Sequence, residues 1–227
     1  MDVLEGDGSW IMNIILLGPP GGGKGTQAQF LIEHHGMRQI STGDLLRAAA
    51  KKKSPLGLEV EKYMKAGKLV PDDVINNVMK EALEEGNDGR GLILDGYPRT
   101  VQQAKTLDQM VKLMNVSVDH VINFNLSDKE VIRRLSGRRQ CRECKVGYHI
   151  QFAPPKKEGI CDRCGSELFQ RSDDKIEVIQ ERLRVYHEKN DKLVDYYRSS
   201  GKLREISGEG STGDIYKKVE GVLGLSQ

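Results

Sequence analysis

Aromatic residues are scarce in this chain: Phe, Trp and Tyr make up 5% of its 227 residues, and there is one Trp. Proteins that grip single-stranded nucleic acid stack the bases on aromatic rings, so that class is disfavoured. A charge of one sign is missing too, since Lys+Arg 35 against Asp+Glu 33 leaves a formal charge of +2. No global field recommends a nucleic acid or a membrane surface, and any electropositive site must be local. Long apolar runs are absent: the longest, around residues 11–17, is too short to span a bilayer, is interrupted by Asn13 and runs into glycines. No secretory signal precedes it. Cysteine is limited to four residues, all between 141 and 164.

What is present reads as one large core carrying insertions, a size that buries a substantial hydrophobic interior. Residues 1–11 are acidic, contain glycine and lack periodicity, and Met12 directly precedes the first strand-like run; we read them as an extension or upstream start outside the fold. Short aliphatic runs bounded by turn residues predict strands over 13–17, 38–41, 92–95, 120–125 and 203–207, with amphipathic helices between them over 72–85, 100–114 and 128–138. That alternation predicts an α/β fold: a parallel five-stranded sheet flanked by helices. Two stretches break the rhythm. Residues 41–73 hold only helical material, and 137–174 hold all four cysteines, the Pro154-Pro155 pair and no helical period. Each reads as an insertion on the ligand-bearing edge of a core made of 12–40, 74–136 and 175–227.

After the strand IILL comes Gly18-Pro19-Pro20-Gly21-Gly22-Gly23-Lys24-Gly25-Thr26, a P-loop pattern with its hydroxyl residue one place later than the commonest form. Glycines at 21, 22, 23 and 25 let successive amides face phosphate oxygens, and the following helix N-terminus adds partial positive charge. Lys24 supplies a point charge for the phosphates and Thr26 helps to position magnesium. The run 92–95 ends a buried strand in Asp95, where P-loop enzymes place an acid near magnesium and its waters.

A P-loop announces phosphate and leaves the reaction open. Three further segments narrow it: Ser41-Thr42-Gly43-Asp44-Leu45-Leu46-Arg47, Asp95-Gly96-Tyr97-Pro98-Arg99, and the arginines flanking the cysteines. With the loop in the form GPPGGGKGTQ, the chain resembles the adenylate kinase family from Met12 to near its end, in the long-lid, zinc-bearing form found in bacteria. The resemblance implies that residues 41–73 bind a nucleoside monophosphate, that 137–174 form a lid, and that the terminal phosphoryl group of ATP passes reversibly to AMP, giving two ADP. It implies AMP contacts at Thr42, Arg47, Gly96, Arg99 and Gln103, along the backbone of Lys68, Leu69 and Val70, and at the Tyr97-Pro98 turn. Arg47 and Arg99 can fork onto a phosphate, and the Gln103 amide can read a base edge. On the ATP side it implies Arg134, Arg138, Gly147, Tyr148 and Gly210, although Tyr148 serves equally well as a packed lid aromatic. Arg171 and Arg182 resemble the pair that bridges both phosphate chains. Lys24, Arg99, Arg138, Arg171 and Arg182 would then carry the catalysis without a general base. A cytoplasmic monomer without nucleic-acid or membrane partners is expected. His34, His35 and His187 fall on predicted helices, away from the chemistry.

The spacing Cys141-x2-Cys144, sixteen residues, then Cys161-x2-Cys164 is that of two knuckles delivering four thiolates to one structural zinc ion. Disulfides are the alternative, disfavoured for a cytosolic enzyme and for CxxC pairs. Asp173 and Asp174 are expected to pin the base of the lid through ion pairs or nearby amides. A kinase for another nucleoside monophosphate is the nearest rival, and Thr42 with Gln103 favours AMP. A zinc-ribbon nucleic-acid-binding NTPase is set against near neutrality and few aromatics, and a GTPase would need an Asn-Lys-x-Asp segment that the late strands do not offer.

Overall fold

The computed structural model describes residues 12–52, 54–86 and 89–225, so the proposed extension 1–11 lies outside the described residues. The chain runs β1 (Ile14–Leu17), α1 (Lys24–His35), β2 (Arg38–Ser41), α2 (Thr42–Lys51), α3 (Pro55–Lys65), α4 (Asp72–Gly86), β3 (Leu92–Asp95), α5 (Val101–Leu113), β4 (His120–Asn125) and α6 (Asp128–Ser136). Three short strands follow, β5 (Arg138–Cys141), β6 (Gly147–His149) and β7 (Leu168–Phe169), then a 3-10 turn at Ser172–Asp174, α7 (Ile176–Ser199), β8 (Leu203–Ser207) and α8 (Thr212–Leu223).

The main sheet is five-stranded and parallel, in the order β2-β3-β1-β4-β8. Its central strand IILL is buried along its whole length, because helices cover both faces. Alternate side chains divide between the two layers: Ile14 and Leu16 join Ala28 and Leu31 of α1 and Val219 of α8, while Ile15 and Leu17 join Met79 of α4, Leu107 of α5 and Tyr197 of α7. Each fully buried aliphatic chain contributes about 1.5–3 kcal/mol. The sequence order turns back across β1, which has β3 on one side and β4 on the other, so the crevice at the carboxyl end of β1 is the switch point where open α/β sheets take ligands. No helix of the described residues is long and apolar enough to cross a membrane.

The five strands stand where the aliphatic runs predict them, except that Asn13 precedes β1 and bonds the segments beside it instead: its Nδ2 donates to Ser117 O at 2.9 Å and its Oδ1 accepts from Leu92 N at 3.1 Å. The helix expected over 128–138 ends early, at Ser136, and Arg138 opens β5. Gly137 caps it. A Cβ there would stand 2.2 Å from Nε2 of His149, so a larger residue would push the imidazole aside.

β5 pairs antiparallel with β6 and β7 in the order β6-β5-β7. The two cysteine turns are built alike: Cys141 N donates to Val146 O at 2.9 Å and Cys161 N to Ser166 O at 2.8 Å. The residue after each second cysteine is left-handed, Lys145 at φ 61 and Gly165 at φ 73. Lys145 bears that conformation while its ammonium donates to Arg142 O.

Candidate active site

Gly18 leaves β1 at φ 134 with its Cα so close to β4 that a Cβ would stand 2.7 Å from Phe124 O. This approach turns the loop sharply enough to begin α1 at Lys24. Lys24 Nζ donates back to Gly18 O and Pro19 O, both at 2.8 Å, so the ammonium closes the loop on itself. Burial weakens its hold on the proton and lowers its pKa to about 8, against the pull of Asp95. Gly21, Gly22 and Gly23 lie in the loop, and Gly25 and an exposed Thr26 in the first turn of α1.

Asp95 ends β3 beside β1, in register with Leu16. Burial raises its pKa, while Lys24 and Arg99 oppose the rise. Its Oδ2 accepts from Gln39 Nε2 at 2.9 Å, and a Cβ at Gly25 would lie 3.5 Å from the same oxygen. The carboxylate therefore faces the first turn of α1, a position suited to a hydrated cation on a bound polyphosphate.

The next residue belongs to a second pocket. Thr42, 1% exposed, donates from Oγ1 to Asp95 O at 3.2 Å and Gly96 O at 2.9 Å. With Leu46 it forms one wall, Leu69, Val70 and Ile75 form another, and Gly96, Arg99 and Gln103 close the cleft. Arg99 Nε donates to Gly96 O at 2.8 Å. Gln103 is fixed at both ends, with Oε1 accepting from Arg99 N at 2.7 Å and Nε2 donating to Asp72 Oδ1 at 2.6 Å; a primary amide keeps one further N–H for a ligand. Lys68 is exposed and its amide donates to Tyr63 O at 3.0 Å. Tyr97 is fully buried, with its hydroxyl on Asn76 Oδ1 at 2.6 Å, and Pro98 is buried beside it. The aromatic ring thus anchors the turn in the core.

The remaining arginines cluster around two carboxylates. Arg138 grips the fully buried Asp174 through Nε at 2.8 Å and Nη2 at 2.6 Å, and Arg182 Nη1 lies 3.0 Å from Asp173 Oδ2. The expected ion pairs at the base of the cysteine segment are therefore present. Burial would raise Asp173, but Arg182, Arg138, Arg171 and Arg47 hold it below the usual carboxylate range. Burial and neighbouring cations pull Arg171 down to about 10, and Arg182 likewise to about 10, chiefly through burial. Arg171 Nε donates to Gln140 Oε1 at 3.0 Å. Arg47 Nη2 donates to Asp44 Oδ1 at 2.7 Å; burial would raise Asp44, yet Arg47 keeps it low. Lys24 and five arginines thus converge on four carboxylates, and mutual repulsion among the cations favours a polyanion in the crevice.

Arg134 Nη2 donates to Gly208 O at 3.0 Å and its Nε to Glu130 Oε1 at 2.7 Å. Gly147 and Gly210 are exposed. Tyr148 packs on the cysteines: its hydroxyl accepts from Asp162 N at 2.8 Å and lies 3.5 Å from Cys161 Sγ. His34, His35 and His187 sit on helix surfaces, with His34 Nδ1 on Tyr216 Oη at 3.1 Å and His187 Nε2 on Asp128 at 2.9 Å.

The four cysteines are free thiols whose sulfurs lie within 4.8 Å of one another, Cys141–Cys164 at 3.4 Å and Cys144–Cys161 at 3.5 Å. Four thiolates about 2.3 Å from one zinc ion would lie about 3.8 Å apart. The donor set fits a closed tetrahedral metal site with no position left for substrate.

Sequence reasoning passed over Asp72, Gln39 and Gln140, which orient Gln103, Asp95 and Arg171. The only signal for Gln39 was a polar residue two places before Ser41 on a strand, and Asp72 and Gln140 had none.

A family model described as "Adenylate kinase" matches residues 16–202. An adenylate kinase of Syntrophobacter fumaroxidans is 49% identical over 213 residues, covering 94% of this chain and all of that protein. One of Archaeoglobus fulgidus is 47% identical over 212 residues, covering 93% of this chain and 98% of that one.

Proposed function

The chain belongs to the adenylate kinase family, and from that premise we propose that it transfers the terminal phosphoryl group of ATP to AMP, reversibly, giving two ADP. One observation carries the reading. Asp95 Oδ2 faces the first turn of α1, directly after the glycine-rich loop, while the Asp95 and Gly96 carbonyls hold Thr42 of the pocket lined by Leu46, Val70, Arg99 and Gln103. A phosphate chain on the loop and another in that pocket would meet head to head.

The acceptor is a phosphate oxygen of AMP, already anionic near neutral pH, so no general base is needed. The bond from the γ-phosphorus to the bridging oxygen breaks, a bond to the AMP oxygen forms, and ADP departs with the electron pair. Repulsion between two polyanions is the obstacle. Lys24, Arg99, Arg138, Arg171 and Arg182 offset it and stabilise charge on the transferring group, while Arg47 and Arg99 orient the acceptor. Thr26 and Asp95 would hold the magnesium that accompanies ATP, and the ion would supply charge neutralisation across the phosphates. Residues 41–73 and 137–174 act as two flaps whose closure expels water that would otherwise hydrolyse ATP, and Cys141, Cys144, Cys161 and Cys164 would hold a structural zinc that ties the second flap together. We further propose a cytoplasmic monomer.

A coupled assay offering AMP, GMP, CMP and UMP with ATP tests the reading. AMP should be preferred by at least about tenfold, the scale of one well-placed polar contact to a base. Equal turnover of another monophosphate would give the acceptor site to that base, and no interconversion of two ADP with ATP plus AMP would end the proposal.

The lysine supplies a pH test. Its folded pKa of about 8 lies below the 10.5 of a free lysine. Between those values the unfolded chain holds a proton that the folded chain lacks, so this group's contribution to stability grows as pH rises through that window and is a fixed cost below it. A bound polyphosphate reverses the shift. At pH 9, ATP binding should take up close to one proton, read by calorimetry in buffers of different ionisation heat, and a Lys24→Arg variant should take up almost none. Equal uptake by both proteins would remove Lys24 from the phosphate site.

A further inference from the structure

The segment between β8 and α8 lies against the glycine-rich loop. A Cβ on Gly208 would fall 3.5 Å from Gly22 O and 2.0 Å from Leu126 Cδ1. Gly208 N donates to Asn125 O at 2.9 Å, and Gly208 O accepts from Arg134 at 3.0 Å. A third tie comes from Gln27, three residues after Lys24 on α1: its Nε2 donates to Thr212 O at 3.2 Å, across 185 residues of chain. Of these bonds it is the one that reaches the helix carrying Lys24.

Gln27 is 1% exposed, and its Oε1 is buried with no hydrogen-bond partner among the described residues. An unpartnered buried carbonyl costs stability, and an apolar side chain of the same shape would avoid the cost. Packing therefore does not explain the glutamine, whereas the bond to Thr212 does.

We propose that Gln27 is a positioning residue for the donor nucleotide. By tethering Thr212 to α1, it sets the separation between the phosphate cradle and the turn that carries Gly210, the donor-side residue that the family resemblance implies. The inference depends on the donor-side reading of the glycine-rich loop given above. Its consequence is asymmetric: loosening the tether misplaces ATP and leaves the AMP pocket, which lies beyond Asp95, untouched.

The test is steady-state kinetics with both substrates varied, alongside thermal denaturation, for Gln27→Leu, Gln27→Met and Arg134→Ala. A neutral hydrogen bond contributes a few-fold to about tenfold in an equilibrium. Gln27→Leu should raise KM for ATP about fivefold, keep KM for AMP within about twofold, and leave Tm unchanged or higher because the orphan carbonyl is gone. Gln27→Met, with an unbranched chain that adapts to the same space, should repeat the pattern if leucine packs poorly. An unchanged KM for ATP overturns the proposal. So does a joint rise of both KM values with a falling Tm, which would mark Gln27 as structural. Arg134→Ala separates the two layers of the argument. If it raises KM for ATP selectively and the Gln27 variants do not, only the role of Gln27 fails; if it raises KM for AMP instead, the donor-side reading fails and takes the proposal with it.

Discussion

Replacing Arg138 with alanine should lower kcat/KM by about 10³, the scale of a guanidinium that stabilises charge on a transferring phosphoryl group, and should destabilise the fold as well. The second effect follows from Asp174, which has no solvent exposure and receives both arms of Arg138 at 2.6 and 2.8 Å. Removing one partner of a buried ion pair costs about 3–5 kcal/mol because a charge is left without compensation. Arg182 remains 3.6 Å from Asp174 Oδ1, which argues for the lower end of that range. For a chain of this length, about 3 kcal/mol corresponds to a Tm loss of roughly 6–12 °C. The double variant Arg138→Ala with Asp174→Asn removes both charges and should recover most of the lost Tm while kcat/KM stays low. Activity returning along with stability would show that Arg138 acts only by holding Asp174. Arg138→Lys keeps the charge and loses the fork, and should fall between wild type and alanine in both measurements.

Removing the metal should melt the cysteine segment before the rest of the molecule. Among the described residues the apolar cluster there consists of Cys141, Cys161 and Leu168, with Cys144 and Tyr148 packed against it. This is far too little to fold three strands of two to four residues by burial alone. In isolated zinc-finger peptides the metal supplies roughly 10–16 kcal/mol, an upper bound here because the rest of the chain already holds both ends of the segment. Chelation should release about one zinc per chain, expose four thiols to a colorimetric reagent, and add an early unfolding transition. Arg138 opens β5 and Arg171 lies two residues past the end of β7, so phosphoryl transfer should decline in step with that transition. If activity vanished at temperatures where the segment is still folded, the metal would have a chemical part. If all four thiols reacted equally fast before and after chelation, the metal site itself would be refuted.

The four-cysteine cluster and the P-loop were legible because both are short-range patterns. Two CxxC turns fold locally, each closed by an amide from its first cysteine onto the residue after the left-handed position, so their spacing is nearly sufficient to place the sulfurs. The five strands were legible for the related reason that a sheet covered on both faces demands aliphatic runs, and IILL and its neighbours supply them. The end of α6 was legible and passed over: Gly137, just past Arg133 and Arg134, is a helix-stop signal, and it caps the helix. The glutamines that orient the site were hidden for a different reason. Gln39 matters because β2 lies beside β3, and Gln140 because β5 passes Arg171; neither residue type announces a partner so distant in sequence.

The order of residues alone determined the α/β class, the glycine-rich loop, the grouping of the four cysteines and, through resemblance, the family, since each is encoded by chemistry within a few residues of chain. Only the tertiary structure decided which cations have carboxylate partners, how far Lys24 and Arg171 are weakened by burial, and that Thr42 is tied to the end of the strand that carries Asp95. Those properties depend on distance and desolvation between groups up to a hundred or more positions apart, and both exist only once the chain has packed.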